Sequence, residues 1–220
     1  MQSDKLYIKT VSNTLWKTLK QLMSMEILYP FRLVGGTALS LQLGHRVSVD
    51  IDLFTDAEYG SIDFEAIDCK LTELFPIIEM QYEGNNSFGK SYFIGNDKND
   101  VVKVDLFYTD QFIEPVYTVG DLRLASLDEI TAMKMEVIGH SGRKKDFWDI
   151  HELLESMPLG KMIELHNKRH PYSYTPEELK IKLVDFSYAD SDFDPICLKG
   201  KYWEVIKLDI ETAINSLYLG

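Results

Sequence analysis

Cysteine is scarce in this chain, with Cys69 and Cys197 the two among 220 residues. Two cysteines give no disulfide framework, so the fold must rest on packing, and both read as buried or half-buried thiols. Long apolar runs are missing as well. None approaches the roughly 20 residues that cross a bilayer, which excludes a membrane-spanning helix. The start, Met1-Gln2-Ser3-Asp4-Lys5, lacks the basic-then-apolar pattern of a secretory signal, and the expected location is cytoplasmic. Positive charge is short too. The net charge is −12, with −8 over residues 1–150 and −4 over residues 151–220. Broad grip on nucleic acid needs a positive surface, because phosphate contacts dominate affinity. The acidic balance excludes a general nucleic-acid binder and leaves room for a local basic patch that docks one RNA end. No internal repeat is present.

What remains is an ordinary globular balance, 45% apolar and 26% charged, in a chain long enough for one large or two small domains. Residues 4–24 repeat Leu6, Val11, Leu15, Leu19 and Leu22 at helical spacing with Trp16 beside them. Pro30 breaks the chain before a first core strand, Phe31 to Val34. Thr37 to Leu43 read as a helix, Val49 to Phe54 as a second core strand, and Ser61 as the N-cap of a helix reaching Phe75, with Asp63 in its first turn. Ile77 to Tyr82, Ser91 to Ile94 and Val101 to Tyr108 read as consecutive antiparallel strands separated by Gly84-Asn85-Asn86 and by residues 95–100. After Gly120 helices take over. Ser126-Leu127-Asp128-Glu129 is a capping box for a helix to about Ile138, residues 144–157 form a second helix ended by Pro158, Thr175-Pro176-Glu177-Glu178 caps another, and a last helix runs from Lys201 to Leu219.

The most informative stretch is Leu33-Val34-Gly35-Gly36-Thr37-Ala38-Leu39 followed by His45-Arg46-Val47-Ser48-Val49-Asp50-Ile51-Asp52-Leu53-Phe54. Side chains alternate along a strand, so Asp50 and Asp52 share one face while Val49, Ile51 and Leu53 point into the core. Adjacent carboxylates repel each other unless a cation sits between them, and aspartate is disfavoured in strands, so the pair reads as a Mg²⁺ site. A Gly-Gly turn before a helix reads as a place to hold phosphate, or as a plain strand-to-helix turn. Thr37 adds a hydroxyl donor or caps the helix. Asp105 is the lone acid in the apolar strand Val101-Val102-Lys103-Val104-Asp105-Leu106-Phe107. It is a third metal carboxylate, or half of a surface pair with Lys103 on its own face. Arg46 contacts phosphate or pairs with a surface acid.

These residues resemble the nucleotidyltransferase superfamily that includes DNA polymerase beta. The wording Gly35-Gly36-Thr37-Ala38-Leu39, His45-Arg46-Val47-Ser48 and Asp50-Ile51-Asp52-Leu53-Phe54 is similar to its AbiEii/AbiGii toxin branch. Ile130-Thr131-Ala132-Met133-Lys134 and Arg143-Lys144-Lys145-Asp146-Phe147-Trp148-Asp149-Ile150 resemble that branch's later motifs, in the same order, over roughly residues 30 to 155. The resemblance implies an α/β fold: a nucleotidyltransferase-like mixed sheet flanked by helices over residues 1–120, with a helical C-terminal region, 121–220, packed on it. It implies transfer of an NMP from an NTP to an acceptor, RNA or tRNA, with pyrophosphate released, two Mg²⁺ ions, a toxin-like role and a cognate antitoxin. Asp50, Asp52 and Asp105 would hold metal, Asp105 would help activate the acceptor, and Lys134 would be catalytic through the phosphates. Gly35, Gly36, Thr37, Arg46, Ser48, Lys145, Asp146 and Asp149 would hold the nucleotide. From the residues alone, Asp146 and Asp149, one helical turn apart, also read as caps, lysine partners or catalytic groups. Cations at Arg143, Lys144 and Lys145 oppose the macrodipole where a helix begins, so an acid or anion belongs nearby. An aminoglycoside-type transferase, suited to the acidic charge, and a non-catalytic binding protein of the same fold are the alternatives.

His140 and His151 read as structural or surface residues. Phe147, Trp148, Phe186, Tyr188 and Trp203 read as core, and Asp190-Ser191-Asp192-Phe193-Asp194-Pro195 as a solvated acidic loop, since it lacks the Gly and Glu of a calcium loop.

Overall fold

A computed structural model describes residues 5–81 and 88–217. Two compact units divide the chain: Met1–Gln42 with Ser48–Ala125, and Leu43–Val47 with Ser126–Gly220. The Gly84-Asn85-Asn86 turn, Tyr82, the opening four residues and Leu219 lie outside the described residues.

The first unit is built on a seven-stranded mixed sheet. Its strands are β1 (Arg32–Leu33), β2 (Asp50–Thr55), β3 (Ile77–Gln81), β4 (Gly89–Asp97), β5 (Asp100–Tyr108), β6 (Tyr117–Val119) and β7 (Leu122–Leu124), in the spatial order β3-β4-β5-β2-β1-β7-β6. β2 lies parallel to β5 and β1 parallel to β7, and the other neighbours are antiparallel. The expected antiparallel run β3-β4-β5 is present. β4 is longer than the sequence indicated, and the β6–β7 hairpin around Gly120 (φ 58°) was not anticipated.

Alternation decides which face is core. Ile51 and Leu53 of β2, Val104 and Leu106 of β5, and Tyr92 and Ile94 of β4 are fully buried, while Asp50, Asp52, Phe54, Lys103, Asp105 and Phe107 stay half-buried on the opposite face. Each buried aliphatic side chain contributes about 1.5–3 kcal/mol. Val49 departs from the expected alternation: it precedes β2 and is 66% exposed. On the core side α3 (Phe64–Leu74) anchors to β4, where the Tyr92 hydroxyl donates to Asp68 Oδ1 at 2.8 Å. Its N-cap is Asp63, accepting from Ala66 N, not Ser61, because the carboxylate reaches the orphan amide directly. The first helix, α1 (Asn13–Met23), is shorter than its apolar spacing implied. Ser12 caps it through Leu15 N, so Leu6 and Val11 fall outside, and residues 8–10 form a separate 3₁₀ turn.

The second unit is helical: α4 (Leu127–Gly139), α5 (Lys144–Leu154), α6 (Leu159–Arg169), α7 (Pro176–Leu183) and α8 (Trp203–Leu217), with α4 packed on α5, α6 and α7. α6 went unanticipated. A fully buried ion pair, Arg169–Glu129 at 2.8 Å, ties it to α4. Glu129 is therefore committed to Arg169, while Ser126 still caps α4 by accepting from Glu129 N. Phe147, Trp148, Phe186 and Trp203 form one aromatic core, Trp148 stacked on Trp203 at 5.9 Å. Tyr188 was expected there and is 58% exposed instead. The acidic loop is more than solvated. Asp192 takes Arg143, Asp194 takes Lys144 at 2.9 Å, and Asp190 accepts from Trp203 Nε1 at 2.7 Å, so the acids required by the cations opening α5 are supplied. Cys197 is half-buried as expected, but Cys69 is exposed.

Candidate active site

Asp50, Asp52 and Asp105 come together on the half-buried face of the first unit. Parallel pairing sets Asp50 beside Lys103 and Asp52 beside Asp105, so both aspartates of β2 and the acid of β5 share one face. The Lys103 ammonium donates to Asp105 Oδ2 at 2.8 Å, so the Lys103–Asp105 pair exists on that face. Burial works against the charge of Lys103, but its bond to Asp105 and the fields of Asp105, Asp50 and Asp52 outweigh that and hold the ammonium above its usual pKa. The other oxygen, Asp105 Oδ1, is buried without a hydrogen-bond partner. An orphaned carboxylate oxygen costs free energy unless something electropositive reaches it.

The glycine turn is fitted to this face. Gly35 takes φ +67°, and a Cβ there would lie 2.5 Å from Asp52 Oδ2, so only glycine allows the carboxylate to lie against the start of α2 (Gly35–Leu43). Positive φ was expected of both glycines and occurs at Gly35 alone of the two. Thr37 is fully buried. Its hydroxyl lies on the Asp50 carbonyl and, at 2.8 Å, on Ser48 Oγ, so it latches α2 to the start of β2.

The carboxylate set suits a hard divalent cation. Among the described residues no three His, Cys, Asp or Glu side chains stand in an arrangement that holds a metal unaided. Mg²⁺ rarely asks for that, since it is usually bound by one or two carboxylates with substrate phosphates and water completing the shell.

The later motifs meet inside the second unit. Asp149 is fully buried and receives His45 Nε2 and Arg46 Nε on Oδ1, both at 2.7 Å, with Arg46 Nη2 at 2.8 Å and Lys134 Nζ at 2.7 Å on Oδ2. Lys134 also donates to Asp146 Oδ1 at 2.6 Å, and Asp146 Oδ2 accepts from Arg143 N at 3.0 Å. Burial opposes ionisation of Asp149, yet the charges of Arg46 and Lys134 prevail and hold its carboxyl well below the usual range. Burial likewise opposes the charge of Lys134, and Asp149 and Asp146 prevail to raise its pKa. Lys145 is half-buried in the first turn of α5. His45 completes this network and was read from sequence only as part of a motif. Its adjacency to Arg46 was the available signal.

The motif His45-Arg46-Val47-Ser48 thus serves both units. His45 and Arg46 belong to the second, and Ser48 returns to the first to meet Thr37.

The family model of the nucleotidyl transferase AbiEii toxin of type IV toxin–antitoxin systems matches residues 19–208. The chain belongs to this family. An uncharacterized Aquifex aeolicus protein is 29% identical over 205 residues, 92% of this chain and 87% of its own. Among solved structures, a Helicobacter pylori protein described as a candidate nucleotidyltransferase aligns with TM-score 0.60 and 17% identity over 92% of this chain and 93% of that one. MenT4, a nucleotidyltransferase toxin of Mycobacterium tuberculosis, aligns with TM-score 0.57 and 12% identity over 89% and 82%. At such identities the likeness carries the fold. The AbiEii family model carries the nucleotidyltransferase class. Among the described residues no helix of this AbiEii member is long and apolar enough to cross a membrane.

Proposed function

We propose that this AbiEii-family protein moves an NMP from a Mg²⁺-bound NTP to an RNA end, tRNA included, and so inhibits growth until a cognate antitoxin intervenes. The observation that supports it is the face holding Asp50, Asp52 and Asp105, with Asp105 Oδ1 orphaned and Gly35 fitted against Asp52. Asp50, Asp52 and Asp105 are the residues to hold the metal. When bound, Mg²⁺ neutralises triphosphate oxygens and polarises the reacting ones. Gly35 and Gly36 offer backbone N–H groups to the β- and γ-phosphates at the start of α2. Thr37 and Ser48 fix that turn against β2. Asp105 is the group to take the proton of the acceptor hydroxyl, whose oxygen attacks the α-phosphorus as pyrophosphate leaves. In the second unit Arg46, Lys134, Asp146 and Asp149 are bound to one another in a buried network, which fixes the start of α5 where Lys145 stands.

The test is incubation with each α-labelled NTP, Mg²⁺ and total bacterial RNA, wild type beside Asp50→Ala. Label on one RNA class, lost in the variant, is expected. Equal labelling by both proteins, or no transfer of any NTP to RNA, overturns the proposal.

A further inference from the structure

The carboxylate face does not end at Asp52 and Asp105. One alternation further, Phe54 of β2 stands in register with Phe107 of β5, on the same face and roughly 6–7 Å along the strands. Both are half-buried, and their rings meet edge-to-face with centroids 6.2 Å apart. The Phe107 ring lies against Gly89 of β4, where a Cβ would come within 2.6 Å of it. β1 adds Arg32, in register with Phe54, its guanidinium stacked 3.6 Å over Phe112. Aromatic rings are costly to leave half in water, and the core positions of both strands lie on the other face.

Direction along the strands decides what such a platform would meet. β1 runs antiparallel to β2, with Arg32 opposite Phe54 and Leu33 opposite Leu53, so the chain reaches Gly35 while moving away from Phe54 and toward the Asp52 end. The glycine turn and the phenylalanine pair therefore lie on opposite sides of the Asp52–Asp105 pair. In-line displacement at phosphorus puts the attacking oxygen opposite the leaving pyrophosphate. With the β- and γ-phosphates at Gly35 and Gly36, the attacking group enters from the Phe54–Phe107 side.

We propose that Phe54 and Phe107 form a stacking platform for the unpaired terminal nucleobase of the acceptor RNA, with Arg32 placing positive charge at its edge. The proposal rests on the transferase reading above and assigns its acceptor subsite. Every nucleobase has a π-face, so the platform accepts an RNA end without reading its sequence, and it supplies affinity that the acidic chain does not provide through broad phosphate contacts.

The test compares wild type with Phe54→Leu, Phe107→Leu and Phe107→Tyr. Leucine keeps the apolar bulk and removes the π-face; tyrosine restores it. Thermal melting shows that each variant is folded. The expected result is an acceptor-RNA KM about tenfold higher in each leucine variant, the NTP KM unchanged, and recovery with tyrosine. A raised NTP KM with the acceptor KM unchanged assigns the platform to the donor base and overturns the proposal. Anisotropy of a labelled single-stranded RNA oligonucleotide reads the platform without turnover. Equal affinity in wild type and the leucine variants overturns it even if no NTP is transferred, whereas loss of transfer in Asp50→Ala alone bears on the transferase reading.

Discussion

The two units use aspartate and lysine in opposite ways. On the first unit's sheet, Asp50, Asp52 and Asp105 line a half-buried face, and Asp105 keeps one oxygen unmatched. In the second unit, Asp149 is sealed from solvent and both of its oxygens are filled by three side chains. Acceptor capacity left open calls for something from outside the fold, whereas capacity fully spent inside serves the fold. A buried carboxylate is kept charged only by such saturation, and removing it strands the cations around it.

The largest expected effect follows from that contrast. Asp52→Asn removes one of the carboxylates proposed to hold metal on the open face and should lower NMP transfer by about 10³-fold, since a bound metal's share of transition-state stabilisation is several kcal/mol. Its melting temperature should stay close to wild type, because half-exposed charge interactions are worth about 1 kcal/mol or less. Asp149→Ala should do the reverse in kind: stability falls by about 3–5 kcal/mol, because Arg46 and His45 lose the buried carboxylate they share and Lys134 keeps Asp146 alone. Denaturant midpoints of the two variants check this. A stable Asp149→Ala protein with selectively lost transfer would erase the distinction between the units.

Gly35→Ala probes the seam between turn and carboxylate. An L-residue at φ +67° costs about 1–2 kcal/mol, and the new methyl would push on Asp52. Both transfer and stability should drop, and Gly60→Ala serves as the control. Gly60 also has positive φ, at 84°, yet a Cβ there meets nothing within 4 Å. Equal loss of transfer in both variants would mean that strain alone matters. Thr37→Val should cost about 1 kcal/mol by removing the buried hydroxyl that bonds the Asp50 carbonyl.

The open face was more legible in sequence than the sealed network. Alternation alone put Asp50 with Asp52 and Lys103 with Asp105, because a strand's period of two is a local property. It could not supply the parallel register that sets Asp52 beside Asp105, which depends on two strands about fifty residues apart. The Arg46–Asp149 bond spans 103 residues, so no local pattern encodes it. α6 escaped notice because Pro158 stands where a capping side chain would announce it and Gly160 sits in its first turn. β6 and β7 are three residues each, too short for alternation to register. The helical span drawn over residues 4–24 failed for the opposite reason, since apolar spacing continues through the 3₁₀ turn and past the Ser12 cap.

The smallest expected effect concerns pH and isolates the sealed network. The folded Asp149 carboxyl lies well below the usual range, whereas in the unfolded chain it titrates near pKa ~3.9. A depressed acid contributes stability above its unfolded value and loses it as pH falls through the folded one. Lys134 is raised, so its contribution is complete below the unfolded value of ~10.4 and is lost as pH rises through the folded one. The stability gap between wild type and Asp149→Asn should therefore shrink as pH drops below ~4, and shrink again above ~10.4. Urea midpoints of both proteins across that range measure it. A gap that stays constant below pH ~4 and above pH ~10.4 would mean that Asp149 and Lys134 are not the ionised centre of the sealed network that distinguishes the second unit from the first.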